Sequence, residues 1–308
     1  MVLAGGVGAA RFLRGLCSLL DPARLTIVGN TADDDTFFGL HVSPDLDTVV
    51  YTLAGREGAL GWGLAGDSHA TLAALQRYYA QDWFQLGDAD LATHIFRTDA
   101  LRRGRSLSAV TAAIAAAHGV RPRLLPMSDD AIRTRITLAG AGTIAFQDYL
   151  VQRRGRGRVR AVRYAGARRA RPAPGVLTAL RRADVILLPP SNPIVSIGPI
   201  LAVPGLRAAL AARRGCSAAV SPLVRGLPIK GPLHHLLRGL GHEVSARGVA
   251  ALYGELLDGY VLDARDAAQL RDVEARGVRG RAVETLMRTP EIAAELARAA
   301  LALARELA

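Results

Sequence analysis

Val2-Leu3-Ala4-Gly5-Gly6-Val7-Gly8, running on through Ala9 to Leu20 and then Leu25-Thr26-Ile27-Val28, is the stretch that decides the fold. A short apolar run empties into a glycine turn, and Phe12, Leu13, Leu16, Leu19 and Leu20 then recur at helical spacing. Asp21-Pro22 ends that helix, and a second apolar run follows. Strand, helix and strand in this order predict a parallel pair joined by a crossover helix. The opening strand has so few residues before its turn that it is either very short or begins upstream of Met1.

Working outward, the pattern returns in the second half. Val185 to Leu188 reads as a buried strand emptying into Pro189-Pro190-Ser191-Asn192-Pro193. Cys216 to Val220 is another, followed by Ser221-Pro222, and Gly259 to Asp263 reads as the last. Ser106 to Ala117 and Glu291 to Leu307 have helical patterns, whereas Ile132 to Gln147 and Val159 to Tyr164 read as less regular strands. With no repeat and no long Ser/Gly linker, the expectation is one α/β domain over 1–308. A mostly parallel sheet carries helices on both faces, with a smaller irregular β insertion around 125–175.

Composition excludes several classes. The 308 residues are 50% hydrophobic and 21% charged, a globular balance. The longest mostly apolar region, 185–205, is broken by Pro189, Pro190, Pro193, Pro199 and Pro204, so a membrane-spanning helix is not expected. Met1 runs straight into Leu3-Ala4-Gly5 without a charged and apolar leader, and only Cys17 and Cys216 are present. Both features point to a reduced, cytoplasmic setting without a disulfide framework. The net charge is +12, carried almost wholly by arginine, with Lys230 the single lysine. Its densest run, Arg153 to Arg171, holds one aromatic, Tyr164, and matches no nucleic-acid-binding module, so it reads as a solvated hairpin.

Gly5, Gly6 and Gly8 between strand and helix suit a phosphate at a helix N-terminus, although Arg11 stands where the dinucleotide fingerprint has its third glycine. Asn30-Thr31-Ala32-Asp33-Asp34-Asp35 lies past the second strand, where open α/β sheets bind ligands. With Asp45 and Asp47 of Ser43-Pro44-Asp45-Leu46-Asp47-Thr48, these carboxylates could gather around Mg²⁺. The competing reading is that Asp45 or Asp47 caps a helix over 48–53. His94 has no partner at zinc spacing and reads as structural or substrate-contacting; Ser128 has no nucleophile elbow. Ser191, Asn192 and Ser196 sit in a proline-rigid loop and can offer neutral hydrogen bonds, and Lys230 is a candidate phosphate contact.

In order and spacing these segments resemble the 2-phospho-L-lactate transferase family of coenzyme F-420 biosynthesis. The resemblance runs nearly end to end, from Gly5-Gly6-Val7-Gly8 through Asn30-Thr31-Ala32-Asp33-Asp34 and Ser43 to Leu53. It continues in Leu86-Gly87-Asp88, Leu91-Ala92-Thr93-His94, Leu125 to Asp130, the block from Pro190 to Arg207, Ser221 to Val224 and Lys230-Gly231-Pro232. It implies a Rossmann-like, Mg²⁺-dependent transferase, paired as a homodimer. The donor would be lactyl or enolpyruvyl diphospho-guanosine and the acceptor the deazaflavin FO. A ribityl hydroxyl attacks, GMP leaves and a phosphodiester forms.

By the same resemblance Asp47 contacts the deazaflavin, as does Gln85, where relatives often carry Lys or Arg. Asp45 and Asp47 are candidates for metal coordination or for taking the hydroxyl proton. Gly5, Gly6, Gly8, Asn30 and Thr31 cradle part of the donor, and Ser191, Asn192 and Ser196 hold its guanine or ribose end. Asp88, His94 and Lys230 complete the expected substrate-binding set, and neither nucleic acid nor a membrane is an expected partner. The GC-rich style of the composition leans towards phosphoenolpyruvate as the acid. An alternative is a Rossmann-like nucleotide- or deazaflavin-binding regulator without transferase activity.

Overall fold

The computed structural model describes residues 1–80 and 83–307. Seven strands form one sheet: Val2–Ala4 (β1), Thr26–Gly29 (β2), Arg123–Pro126 (β3), Val185–Leu188 (β4), Cys216–Val220 (β5), Gly259–Asp263 (β6) and Arg279–Val283 (β7). Their spatial order is β7-β6-β5-β4-β1-β2-β3, and every pair is parallel. The β1 strand spans three residues here, and the Met1 amino group donates to the carbonyl of Val185 at 2.7 Å.

Alternation along each strand splits the core into two layers. Leu3, Val28, Ile186, Leu188, Tyr260 and Leu262 face one side. Val2, Ile27, Leu187, Val220 and Val261 face the other, against the helices Gly6–Cys17 (α1), Pro44–Leu53 (α2) and, at the C-terminus, Pro290–Glu306. Helices therefore cover both faces, which is why these strands read as continuous apolar runs. Gly15 lets α1 lie directly on the C-terminal helix: a Cβ there would be 2.4 Å from the Ala293 carbonyl.

The insertion is a three-stranded antiparallel sheet in which Arg133–Leu138 lies between Gly142–Ala145 and Val159–Ala165. Three expectations are corrected. Gly259–Asp263 is not the last strand; β7 follows at the sheet edge, where Arg279 and Arg281 obscure the apolar signal. The α2 helix starts at Pro44 rather than at residue 48, because proline suits a first helical position. The arginine-rich run is not a hairpin by itself; its strand pairs with Arg133–Leu138, and the arginines from Arg153 to Arg171 are exposed. Among the described residues no helix is long and apolar enough to cross a membrane.

Candidate active site

From β1 the chain moves outward to β2 and β3, then returns to the other side of β1 as β4. That reversal opens a crevice at the carboxyl ends of β1 and β4, the place where open α/β sheets take ligands. Gly5, after β1, and the Pro189–Ser196 loop, after β4, meet there. Ser191 Oγ donates to the Gly5 carbonyl at 3.0 Å. A Cβ at Gly5 would lie 2.6 Å from Ser196 Cβ, and one at Gly8 would lie 2.4 Å from the Pro190 carbonyl oxygen. These two glycines are required by close approach of the loop; Gly6 is required by its φ of +75°.

Asp45 sits at the centre of this crevice. Its carboxylate accepts from the Gly6 N–H at 2.9 Å and from Asn30 Nδ2 at 2.9 Å. Asn30 in turn reaches the Val195 carbonyl at 3.3 Å, so one amide spans the β2 and β4 loops. An internal carboxylate thus occupies the first free N–H of α1, the position expected to hold a phosphate. Burial pushes Asp45 up to about 6, against the hydrogen bonds of Asn30 and Gly6. Asp33 is raised well above the ordinary carboxyl range, by burial first and then by the charge of Asp45. Asp34 accepts from Ser43 Oγ at 2.7 Å and meets His41 Nε2 at 3.0 Å. One oxygen of Asp33 and one of Asp34 are buried without a hydrogen-bond partner.

Asp47 points elsewhere, as residues two apart on a helix must. It receives both terminal nitrogens of Arg97, one of them at 3.0 Å, and Arg97 is only 1% exposed. The same Arg97 Nη1 lies 3.2 Å from His94 Nδ1, and His94 Nε2 approaches Asp90 Oδ1 at 3.2 Å without hydrogen-bonding geometry. Tyr51 Oη donates to Asp90 at 2.7 Å. Burial pushes Asp90 up, but the adjacent His94 ring and the Tyr51 hydrogen bond outweigh this and hold it below the ordinary value. Asp90, His94 and Arg97 come from one face of the Asp88–Arg102 helix (α3), and Asp47 and Tyr51 from α2.

The remaining expected residues fall in several places. Thr31 is buried, and its hydroxyl has no hydrogen-bond partner. Asn192 Oδ1 accepts from the Ile194 and Val195 N–H groups, capping the wide helical turn Pro193–Ile197 that carries Ser196. Asp88 accepts from Ser68 Oγ at 2.6 Å and from the Ala70 and Thr71 N–H groups, capping the short helix Ala70–Leu75. Gln85 is exposed just ahead of α3. The Lys230 ammonium donates to the Leu60 carbonyl and lies over the Trp62 ring. Among the described residues no three carboxylate, histidine or cysteine side chains converge as a preformed metal cage.

Sequence reasoning missed Arg97, Tyr51 and Asp90. The spacing Asp90, His94, Arg97 places all three on one helix face, which is the buried one, while Ile95 and Phe96 are exposed. It also assigned no role to Tyr164, whose hydroxyl donates to the Ile194 carbonyl and so ties the inserted sheet to the β4 loop.

A doubly wound parallel sheet with a polar, carboxylate-centred crevice at its switch point belongs to the Rossmann-like α/β class. The sequence profile of the 2-phospho-L-lactate transferase family, CofD, matches residues 1–291, and the chain belongs to that family of transferases. It is 45% identical over its full length to a phosphoenolpyruvate transferase of Kitasatospora aureofaciens, covering 98% of that protein. To the 2-phospho-L-lactate transferase of Methanosarcina mazei it is 38% identical, over 96% of this chain and 97% of the other. A crystal structure of a UPF0052-family protein from Bacillus halodurans shares the fold, with a TM-score of 0.65 at 16% identity and 97% of each chain covered.

Proposed function

We infer that the protein transfers a phosphoenolpyruvyl group from enolpyruvyl diphospho-guanosine to the ribityl hydroxyl of the deazaflavin FO. The observation that carries this is the Asp45 crevice, where a buried carboxylate, the start of α1, Asn30 and Ser196 converge beside the buried Asp47–Arg97 pair. The choice of acid follows the relatives: phosphoenolpyruvate transferases reach 47% identity, 2-phospho-L-lactate transferases 39%.

In this reading the FO hydroxyl oxygen forms a bond to the phosphorus nearer the three-carbon acid. The bond from that phosphorus to the bridging oxygen breaks, and GMP leaves with the electron pair. The transition state is loose, so positioning and charge neutralisation matter more than a strong base. Asp47, held by Arg97, orients the hydroxyl and takes its proton as the new bond forms, with Gln85 beside the acceptor. Gly5, Gly6, Gly8, Asn30 and Thr31 face the donor's diphosphate; Ser191, Asn192 and Ser196 face its nucleoside end.

A diphosphate next to Asp45 needs a cation, and the residues fit one. Asp33 and Asp34 each keep an unpartnered buried oxygen. Burial raises the proton affinity of both Asp33 and Asp45, and the charge of Asp45 adds to it at Asp33 as that of Asp34 does at Asp45. Asp45 and Asp33 would hold Mg²⁺, which commonly takes one or two carboxylates and completes its shell with substrate phosphate and water. When bound it neutralises charge on the diphosphate. Asp47 is committed to Arg97 and serves the acceptor instead.

The test is incubation of the purified protein with FO, Mg²⁺ and each guanylyl donor, following product mass and GMP release. A phosphodiester product that disappears with EDTA supports the reading. No product from either donor would overturn it.

A further inference from the structure

The inserted sheet grips both loops of the crevice, and one cross-strand pair of that sheet spans the gap between them. Thr134 and Tyr164 stand directly opposite each other in the antiparallel register. On one side of the pair, the Thr134 N–H donates to the Ala32 carbonyl in the β2 loop at 2.7 Å. On the other, the Tyr164 hydroxyl donates to the Ile194 carbonyl in the β4 loop. Gln147, just past the strand Gly142–Ala145, adds a second hold on the β2 loop through the Asp33 carbonyl, at 3.1 Å. Val195 packs with Ile136 and Phe146 of the insertion, but apolar contacts of this kind are non-directional. The phenol hydroxyl supplies the direction.

The turn it fastens carries the polar groups of the site. The Val195 carbonyl, next to that of Ile194, accepts from Asn30 Nδ2 at 3.3 Å, and the same amide donates to Asp45 at 2.9 Å. Ser196 follows directly, against Gly5. Adjacent carbonyls of one turn are thus held by two different elements, the insertion and the residue that orients Asp45. The fit is close, because a Cβ at Gly198 would collide with the Tyr164 hydroxyl. Burial, and after it the charge of Asp33, push that hydroxyl above its ordinary value, so at neutral pH it is a donor.

We propose that Tyr164 is a positioning residue for the transfer. It touches neither substrate; by fixing the Pro193–Ile197 turn it sets where Asn30, Asp45 and Ser196 meet the diphosphate. This role rests on the transferase reading. A misplacement of about 1 Å near reacting atoms costs up to about a hundredfold in rate.

The test compares two losses of a hydroxyl from the same sheet. Tyr164→Phe keeps the ring and removes the tie to the turn. Thr137→Val removes a hydroxyl that pairs with Thr143 at 2.8 Å on the solvent side. Both should lower the urea midpoint slightly and to a similar extent. Only Tyr164→Phe should lower kcat, by about tenfold, with KM for FO held within about twofold because Asp47 and Arg97 are untouched. Amide hydrogen exchange over 193–197 should quicken by about tenfold in Tyr164→Phe and keep the wild-type rate in Thr137→Val. In an Asn30→Ala background, Tyr164→Phe should cost less than about twofold, since the tie it acts through is already cut.

With an active wild type, unchanged kcat in Tyr164→Phe, or equal losses in the two variants, would overturn the positioning role and leave the transferase reading intact. A wild type that makes no product overturns that reading and the positioning role with it. Faster exchange in Tyr164→Phe would then mark the hydroxyl as a fastener of the turn and nothing more.

Discussion

Asp45 and Asp47 are separated by one leucine and meet opposite surroundings. Asp47 neutralises a buried guanidinium, so Asp47→Asn should leave Arg97 charged, buried and unpaired. Such a loss costs about 3–5 kcal/mol, measurable as a lower urea midpoint. Adding Arg97→Met should recover part of the stability and none of the turnover. Asp45 behaves the other way, because its proton affinity is raised in the folded state to about 6. The unfolded chain releases this proton first, so stability falls as pH rises from about 4 to about 6, and the full cost persists above that. A carboxyl held that far above its ordinary value costs about 3 kcal/mol once the pH has passed 6. Asp45→Asn should therefore be more stable than wild type at pH 8 and equal to it below pH 4, with Asp33 still contributing a slope of the same sign.

At the scale of elements, the β1–α1 turn is held by contact as much as by conformation. Gly8→Ala pushes a Cβ into the Pro190 carbonyl, a backbone atom that cannot swing away. The cost should be about 1–3 kcal/mol or more, read as a drop of several degrees in Tm. Gly6→Ala meets no atom within 4 Å and suffers only from its positive φ, about 1–2 kcal/mol. These elements also show what the sequence could reveal. Buried parallel strands such as Val185–Leu188 announce themselves because both faces are apolar, and α1 because its stripe is regular. The edge strand Arg279–Val283 stayed hidden because its side chains are partly solvated. The hairpin of Asp35–Phe37 and Leu40–Val42 is too short to show a period. In the site, Asn30 was legible from its loop at a strand end, and Asp45 and Ser196 from the polar motifs Ser43 to Thr48 and Pro190 to Pro199. Arg97 was not, because a buried arginine is read as surface until its partner, 50 residues away, is known.

For the whole molecule, the homodimer that the family resemblance implies should give a sedimentation mass of twice the chain's 32.5 kDa. A monomer at micromolar concentration would remove that expectation. The exposed arginines of 153–171 lie on and beside the inserted sheet, with no aromatic platform for bases. Retention on DNA should accordingly vanish at moderate salt, since only counterion release would hold it.

The most direct test compares wild type with Asp45→Asn in the same transfer assay, using FO, Mg²⁺ and enolpyruvyl diphospho-guanosine. Wild type should form the phosphodiester and release GMP in equal amounts, whereas the folded, stable Asp45→Asn protein should form essentially none. Undiminished turnover by Asp45→Asn would contradict the placement of the chemistry in the crevice between β1 and β4.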